Sequence, residues 1–453
     1  MNLVRLFILL MLGAPWALGA STNRVISGLR WRSGLDRHDA AILGWPVNQV
    51  LGRLKAQTGW KILMESGIRT QVKARFEGLS TRDAFPRILG GLNYSFTTSS
   101  NGVSLLRVFR SVASAAREEI IGDIGAGLIG DELIVRLKGG TDLDASKLAL
   151  KWGAESLGTN GLAALLKFES EAAATAARSK LESDPEIAAV ENNREFAPPE
   201  MPSRLTDGRP APLNLAPSVT PDGTRRVIAL IDSDVQAMAS DFQSFMLPAV
   251  AIVAGAPVSE EPTHGTSMAE AIIRGLAAAS PNNLSSTRVR PYDVYGGNVS
   301  TSTWDVTQAV AASVQEGATI VNLSLGSSEG SPYLRDVIRS VTDQGVMVIA
   351  AAGNEAGAAP FYPAAYESTL AVTASASSRN GQLAGYANFG AFVDLAVPGS
   401  TQVTINGASW TVQGTSVSAA FASGMAGGLA MDPRMNLLPI RETLATRFPF
   451  RRP

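Results

Sequence analysis

Val227-Ile228-Ala229-Leu230-Ile231-Asp232-Ser233 is the stretch that decides the fold. Five apolar residues in a row leave no polar face, so the segment predicts a strand buried on both sides. Strands of that kind belong to parallel sheets covered by helices on both faces. From Arg225 onward such apolar runs alternate with helical patterns, which predicts an α/β fold over 225–453 with a mostly parallel sheet. The run ends in a carboxylate. Open α/β sheets place ligands at the carboxyl ends of their strands, which makes Asp232 a candidate site residue. Its plain alternative is a cap for the next helix.

The chain holds two histidines, His38 and His264. A serine hydroxyl is a weak nucleophile at neutral pH and needs an adjacent base, usually imidazole, so any serine chemistry here must use one of them. His38 lies in the polar stretch Leu35-Asp36-Arg37-His38-Asp39-Ala40 and is expected to be a solvated surface residue. His264 opens His264-Gly265-Thr266-Ser267-Met268-Ala269, with Met268, Ala271, Ile272 and Leu276 following at helical spacing. A helix N-terminus disfavours imidazolium and keeps the ring able to accept a proton. A histidine at a helix start, taken alone, is more often structural than catalytic.

Ser416 lies in Gln413-Gly414-Thr415-Ser416-Val417-Ser418-Ala419-Ala420, and Ala422, Ser423, Gly424, Ala426, Gly427 and Gly428 continue the run of small residues. A helix so smooth can press against its neighbours and hold a serine at its N-terminus, where free N–H groups favour a developing oxyanion. An ordinary N-cap reads the same way. Val346 to Asn354 is a second buried run that stops on an amide, and Asn354 can donate to an oxyanion or simply close a turn.

No single element decides the matter; their order does. A chosen tripeptide recurs by accident in about one chain in twenty of this length. VIALIDS (227–233), HGTSMA (264–269), NLSLG (322–326), AAAGNE (350–355) and GTSVSA (414–419) resemble, in order and spacing, the motifs of subtilisin-like serine proteases. The resemblance implies a serine endopeptidase working through an acyl-enzyme, with a polypeptide as substrate. Asp232 would orient His264, His264 would act as base and then acid, Ser416 would attack, and Asn354 would stabilise the oxyanion. Ser324, Leu325 and Gly326 would form the edge on which an extended substrate pairs. Ala351, Ala352 and Gly353 would wall the primary pocket, their small size implying room for a bulky apolar residue before the cut. The family often binds calcium, which is the one cofactor implied; no calcium site and no other metal site is recognisable in the sequence. Three positions depart from the pattern: Asp234 and Glu270 stand where glycine is usual, and Ala420 where proline is common. The two acids are expected near the base, where they would raise its basicity, narrow the cleft or favour basic substrates.

Residues 118–196 read as strand, helix, two strands, helix, strand, and DELIVRLKGG (131–140) and DPEIAAVENN (184–193) resemble the inhibitory prodomain of the same proteases. That implies a zymogen, with this ferredoxin-like α+β block as an intramolecular inhibitor. The proline-dense linker 197–224 follows it, and the maturation cut is expected within 191–221. Gly125-Ala126-Gly127-Leu128-Ile129-Gly130 matches a dinucleotide fingerprint, but the strand pattern that follows removes the helix such a site requires, so it reads as a linker. Residues 31–110 form a further small α+β pattern. Val47, Val50, Leu51 and Leu54 share a helix face, Val72, Ala74 and Phe76 alternate, Ser80 or Thr81 caps a second helix, and Asn101-Gly102 marks a hairpin. PVNQVLGRLKAQTGWKIL (46–63) and LSTRDAFPRILGGLNYSF (79–96) resemble the short N-terminal domain of secretins and TonB-dependent transducers, which implies an envelope protein partner. An alternative function follows: a catalytically impaired subtilisin-like module docked to a cell-envelope assembly.

Arg5, the apolar run Leu6–Leu12 and the small residues Ala17–Ala20 predict a cleavable signal over 1–20, hence a secreted or periplasmic protein. The sequence has no cysteine, so export brings no disulfides. A net charge of −1 without charge runs argues against nucleic acid as a partner.

Overall fold

The computed structural model describes residues 28–451 apart from 33–35, 66–69, 99–103, 110–117, 121–127, 140–143, 197–202, 205–211, 239, 256–261, 299, 377–381, 406–407, 431 and 433. The expected signal segment, the Asn101-Gly102 turn and much of the linker lie outside the described residues. The chain divides into two compact units, residues 25–125 with 298–300, and residues 126–297 with 301–453. Blocks 118–196 and 225–453, expected as separate domains, thus fall almost wholly in one unit.

In the smaller unit, the helix Val47–Thr58 buries Val47, Val50, Leu51 and Leu54, the face its spacing predicts. The strand Gln71–Leu79 alternates, with Val72, Ala74 and Phe76 inward. Ser80 caps the helix Thr81–Leu89 by accepting a bond from the Asp83 N–H. His38 corrects the expectation of a solvated residue. It is fully buried in the strand Arg37–Pro46, stacked on Trp31 with ring centroids 3.8 Å apart, and its Nε2 lies 2.7 Å from Thr81 Oγ1. Strand alternation puts residues 38, 40 and 42 on the core face, whatever the polarity of their neighbours.

The larger unit is built on a seven-stranded parallel sheet. Its spatial order is Val250–Ala251, Arg288–Asp293, Val227–Asp232, Ile320–Leu323, Met347–Ala351, Thr369–Ser375 and Leu395–Pro398. The strand Val227–Asp232 is completely buried and paired on both sides. Ile228 and Leu230 enter one core with the helices His264–Ala279 and Thr415–Leu429, while Val227, Ala229 and Ile231 enter the other with Thr303–Gln315 and Pro332–Thr342. That two-sided burial is why the run lacks a polar face.

Residues 128–196 form strand, helix, two strands, helix, strand: Leu128–Leu137, Ala145–Trp152, Glu155–Asn160, Ala163–Lys167, Glu171–Glu182 and Ile187–Phe196. Leu133, Val135, Ala164 and Leu166 face the block's own helices. Ile134, Ala163, Leu165 and Phe196 face the second core, beside Trp304 and Tyr333. Polar contacts add to this apolar seam. The Glu191 carboxylate accepts from the Ser331 hydroxyl at 2.8 Å and the Tyr333 N–H at 3.1 Å, and Asn193 Oδ1 accepts from the Trp304 N–H at 3.0 Å. Two helix starts are thereby satisfied.

The helices His264–Ala279 and Thr415–Leu429 touch backbone to backbone. A Cβ on Gly424 would fall 1.9 Å from the Ile272 carbonyl oxygen. Neither backbone can retreat without disturbing the sheet beneath. Gly424→Ala is therefore expected to destabilise the protein by about 1–3 kcal/mol, seen as a lower urea midpoint with unchanged slope.

Candidate active site

The small-residue contact between those two helices sets a register. Gly424 sits against Ile272, and eight residues back along each parallel helix lie Ser416 and His264. Both are thus raised about 12 Å from that contact, at the same end of the pair. Three adjacent parallel strands end at that level: Val227–Asp232 with Asp232 at its tip, Ile320–Leu323 just before Ser324, and Met347–Ala351 just before Asn354.

Asp232 and His264 are both buried, and their side chains meet. His264 Nδ1 lies 2.8 Å from Asp232 Oδ1 and 2.9 Å from Oδ2. Ser233 braces the pair: its backbone N–H donates to Asp232 Oδ1 at 2.7 Å, and its hydroxyl accepts from the Gly265 N–H at 2.9 Å. Thr263 caps the histidine helix, accepting from the Thr266 N–H at 3.1 Å. A carboxylate held on Nδ1 selects the tautomer that leaves Nε2 as the acceptor.

Ser416 is the second residue of its helix and half-buried. Its hydroxyl donates to the Ser324 carbonyl oxygen at 3.1 Å, and the Ser324 hydroxyl donates back to the Ser416 carbonyl at 3.0 Å. No hydrogen bond joins Ser416 to His264 among the described residues. Asn322 Nδ2 donates to Ser324 Oγ at 2.9 Å, fixing that contact from below. Asn354 Oδ1 accepts from both the N–H and the hydroxyl of Thr415, at 2.9 and 3.0 Å, so the amide is oriented with Nδ2 turned the other way. Thr415 also accepts from the Gly353 N–H at 3.0 Å. Sequence reading missed Thr415 and Tyr386, whose hydroxyl bridges the Gly399 carbonyl and the Gly414 N–H at 2.8 and 3.1 Å. The motif contained Thr415, while nothing in the sequence marked Tyr386.

Ser324, Leu325 and Gly326 lie just beyond the carboxyl end of their strand, with Leu325 buried. Ala351, Ala352 and Gly353 are buried beside them on the next strand and its exit. A Cβ on Gly326 would lie 2.1 Å from Phe361 Cε1 and one on Gly353 2.9 Å from Phe361 Cγ, so the Phe361 ring lies against both glycines.

Of the three departures, Glu270 has a structural partner of its own. Glu270 is buried and ion-paired to Arg274 one turn on, with Oε1 2.6 Å from Nη2, and it accepts a backbone bond from Thr404. Burial pushes its carboxyl up, while Arg274 opposes that. Its charge is spent on the arginine and not on His264, which lies on another face of the helix. Asp234 is half-buried, which raises its carboxyl, and its carbonyl accepts from the Thr263 hydroxyl at 2.5 Å. Ala420 is buried inside the serine helix.

Asp293 ends the strand beside Asp232, and its carboxyl is pushed up to about 6 by burial, with the charges of Asp234 and Asp232 adding to the shift. Bonds from the Gly296 and Tyr295 N–H groups oppose it. The folded value lies above the ordinary aspartate value of 3.8. This group therefore favours the native state fully below pH 4, and that advantage disappears as pH rises through about 6. The loss at neutral pH is about 3 kcal/mol. Denaturant unfolding between pH 4 and 7 should show that slope, and Asp293→Asn should flatten it; a Ser416→Ala background prevents self-digestion.

Among the described residues no three His, Cys, Asp or Glu side chains converge to hold a metal. Those side chains alone therefore do not supply the six to eight oxygens that calcium takes. No described helix is long and apolar enough to cross a membrane.

Residues 223–446 match the model of the Subtilase family. The chain is 31% identical to thermitase of Thermoactinomyces vulgaris over 229 residues, which is 47% of this chain and 77% of that protein. It is 33% identical to a thermophilic serine proteinase of Bacillus sp. (strain AK1) over 183 residues, 38% of this chain and 44% of that protein, so it spans under half of that relative. The solved structure of the prenylagaramide maturation protease PagA aligns at 24% identity and a TM-score of 0.38, covering 46% of this chain and 79% of that one. The family match, with the extent of the identity to thermitase, establishes that this chain belongs to the subtilase family.

Proposed function

We propose that this protein is a secreted serine endopeptidase that hydrolyses polypeptides through an acyl-enzyme on Ser416. The observation that carries the reading is the buried Asp232–His264 contact, level with Ser416 at one end of two packed helices. In the reaction, Ser416 Oγ turns from the Ser324 carbonyl toward His264 Nε2, gives up its proton and attacks the scissile carbonyl. His264 passes that proton to the departing amine, and Asp232 stabilises the imidazolium between the two steps. The Ser416 N–H and Asn354 Nδ2 receive the oxyanion. Water then repeats the sequence on the acyl-enzyme. The Ser416–Ser324 bond of the resting chain does not oppose this, because catalytic hydrogen bonds often tighten only with substrate bound.

The same reading makes residues 118–196 an intramolecular inhibitor, removed by a cut within 191–221. Its support is the apolar seam and the Glu191 and Asn193 contacts with two helix starts. The signal over 1–20 supports export. A fluorophosphonate probe tests the central point: purified mature protein should be labelled at Ser416, and His264→Ala should abolish labelling. An unlabelled wild type would favour the impaired binding module.

A further inference from the structure

We propose that Phe361 is a specificity-determining residue that fills the floor of the primary pocket and restricts the residue before the scissile bond to small side chains such as Gly, Ala or Ser. The inference rests on the endopeptidase reading and names its substrate class. A Cβ added to Gly326 would lie 2.1 Å from Phe361 Cε1, and one added to Gly353 would lie 2.9 Å from Phe361 Cγ. The ring therefore occupies the gap between the two walls, where an incoming side chain would go. Both glycines are needed to accommodate it.

Phe361 is half-buried and, among the described residues, joins none of the apolar core clusters. A large aromatic ring outside the core lines a cleft instead. Its backbone is tied down. Ser327 and Tyr362 exchange both backbone bonds, at 2.8 and 2.7 Å, which pins the segment beside Gly326. The Ala365 N–H donates to the Phe361 carbonyl at 2.8 Å, and the Tyr362 ring packs on Tyr366 with centroids 5.0 Å apart. The opposite wall is fixed by Asn388, which accepts from the Glu355 and Gly357 N–H groups at 2.9 and 3.0 Å and donates to the Ala352 carbonyl at 2.9 Å. A pocket with pinned walls cannot widen to take a second ring without losing those bonds. One methylene in an apolar pocket discriminates by roughly 10–200-fold, so a whole ring in the way should do at least as much.

The test uses purified mature protein and three peptide substrates that differ only in the residue before the cut: Ala, Leu or Phe. Wild type should show kcat/KM at least about tenfold higher for Ala than for Phe. Phe361→Gly should raise the Phe-to-Ala ratio by at least about tenfold, and Phe361→Ala, a milder change to the loop, should move it the same way. A wild type that prefers Phe overturns the proposal. So does an unmoved ratio in both variants when fluorophosphonate still labels Ser416. Failure of wild type to label at all overturns the endopeptidase reading itself, and this inference falls with it.

Discussion

Ser416→Ala is expected to yield the full-length, uncut chain and to lower turnover of a peptide substrate by about 10⁶-fold. The magnitude is carried over from subtilisin, a member of the same family, where losing the nucleophile costs about that much and the oxyanion groups retain a residual acceleration. Those groups are held here independently of the serine hydroxyl. Asn354 is oriented through Thr415, and Thr415 through the Gly353 N–H, so removing Oγ leaves them in place. The variant should therefore fold and show no fluorophosphonate label. Mass spectrometry of the purified variant decides the maturation question: normal processing at 191–221 in the absence of any other protease would remove self-cleavage from the proposal.

Asp232→Asn should be the next most severe change, lowering kcat by about 10⁴-fold with a small effect on KM. The carboxylate meets His264 Nδ1 with both oxygens, at 2.8 and 2.9 Å. An amide of the same shape keeps the contact but can donate its own N–H to Nδ1, which selects the tautomer whose Nε2 carries the proton. That imidazole cannot take a proton from serine. Stopped-flow hydrolysis of an activated ester, set beside circular dichroism of the folded variant, separates this effect from misfolding. A loss below tenfold in a folded variant would mean that the buried contact is structural.

Much of the site was legible in the sequence, and for a physical reason. A parallel strand buried on both faces must be a continuous apolar run, so VIALI announced its own place in the sheet, and the carboxylate after it announced the rim. Helix starts carry caps, as Thr263 does for His264. Where one face of a strand is polar for other reasons, that logic fails. His38 looked exposed because its neighbours are charged, yet alternation alone turned it inward against Trp31. Glu270 and Asp234 looked like modifiers of the base. For Glu270 the partners Arg274 and Thr404 decide otherwise, and only Arg274 is suggested by helical spacing. At Asp234 the Thr263 bond goes to the backbone carbonyl, and its carboxylate helps to raise the carboxyl of Asp293.

The sequence by itself determined the sheet, the order of the motifs and the identity of the residues that can do serine chemistry, because each is a local pattern of polarity or a rare residue type. Tertiary structure alone decided that Gly424 and Ile272 touch and so bring Ser416 level with His264, that Thr415 aims Asn354, and that Phe361 stands between Gly326 and Gly353. These depend on contacts between segments tens to more than a hundred residues apart, and the small residues that permit such contacts look alike wherever they occur in a chain.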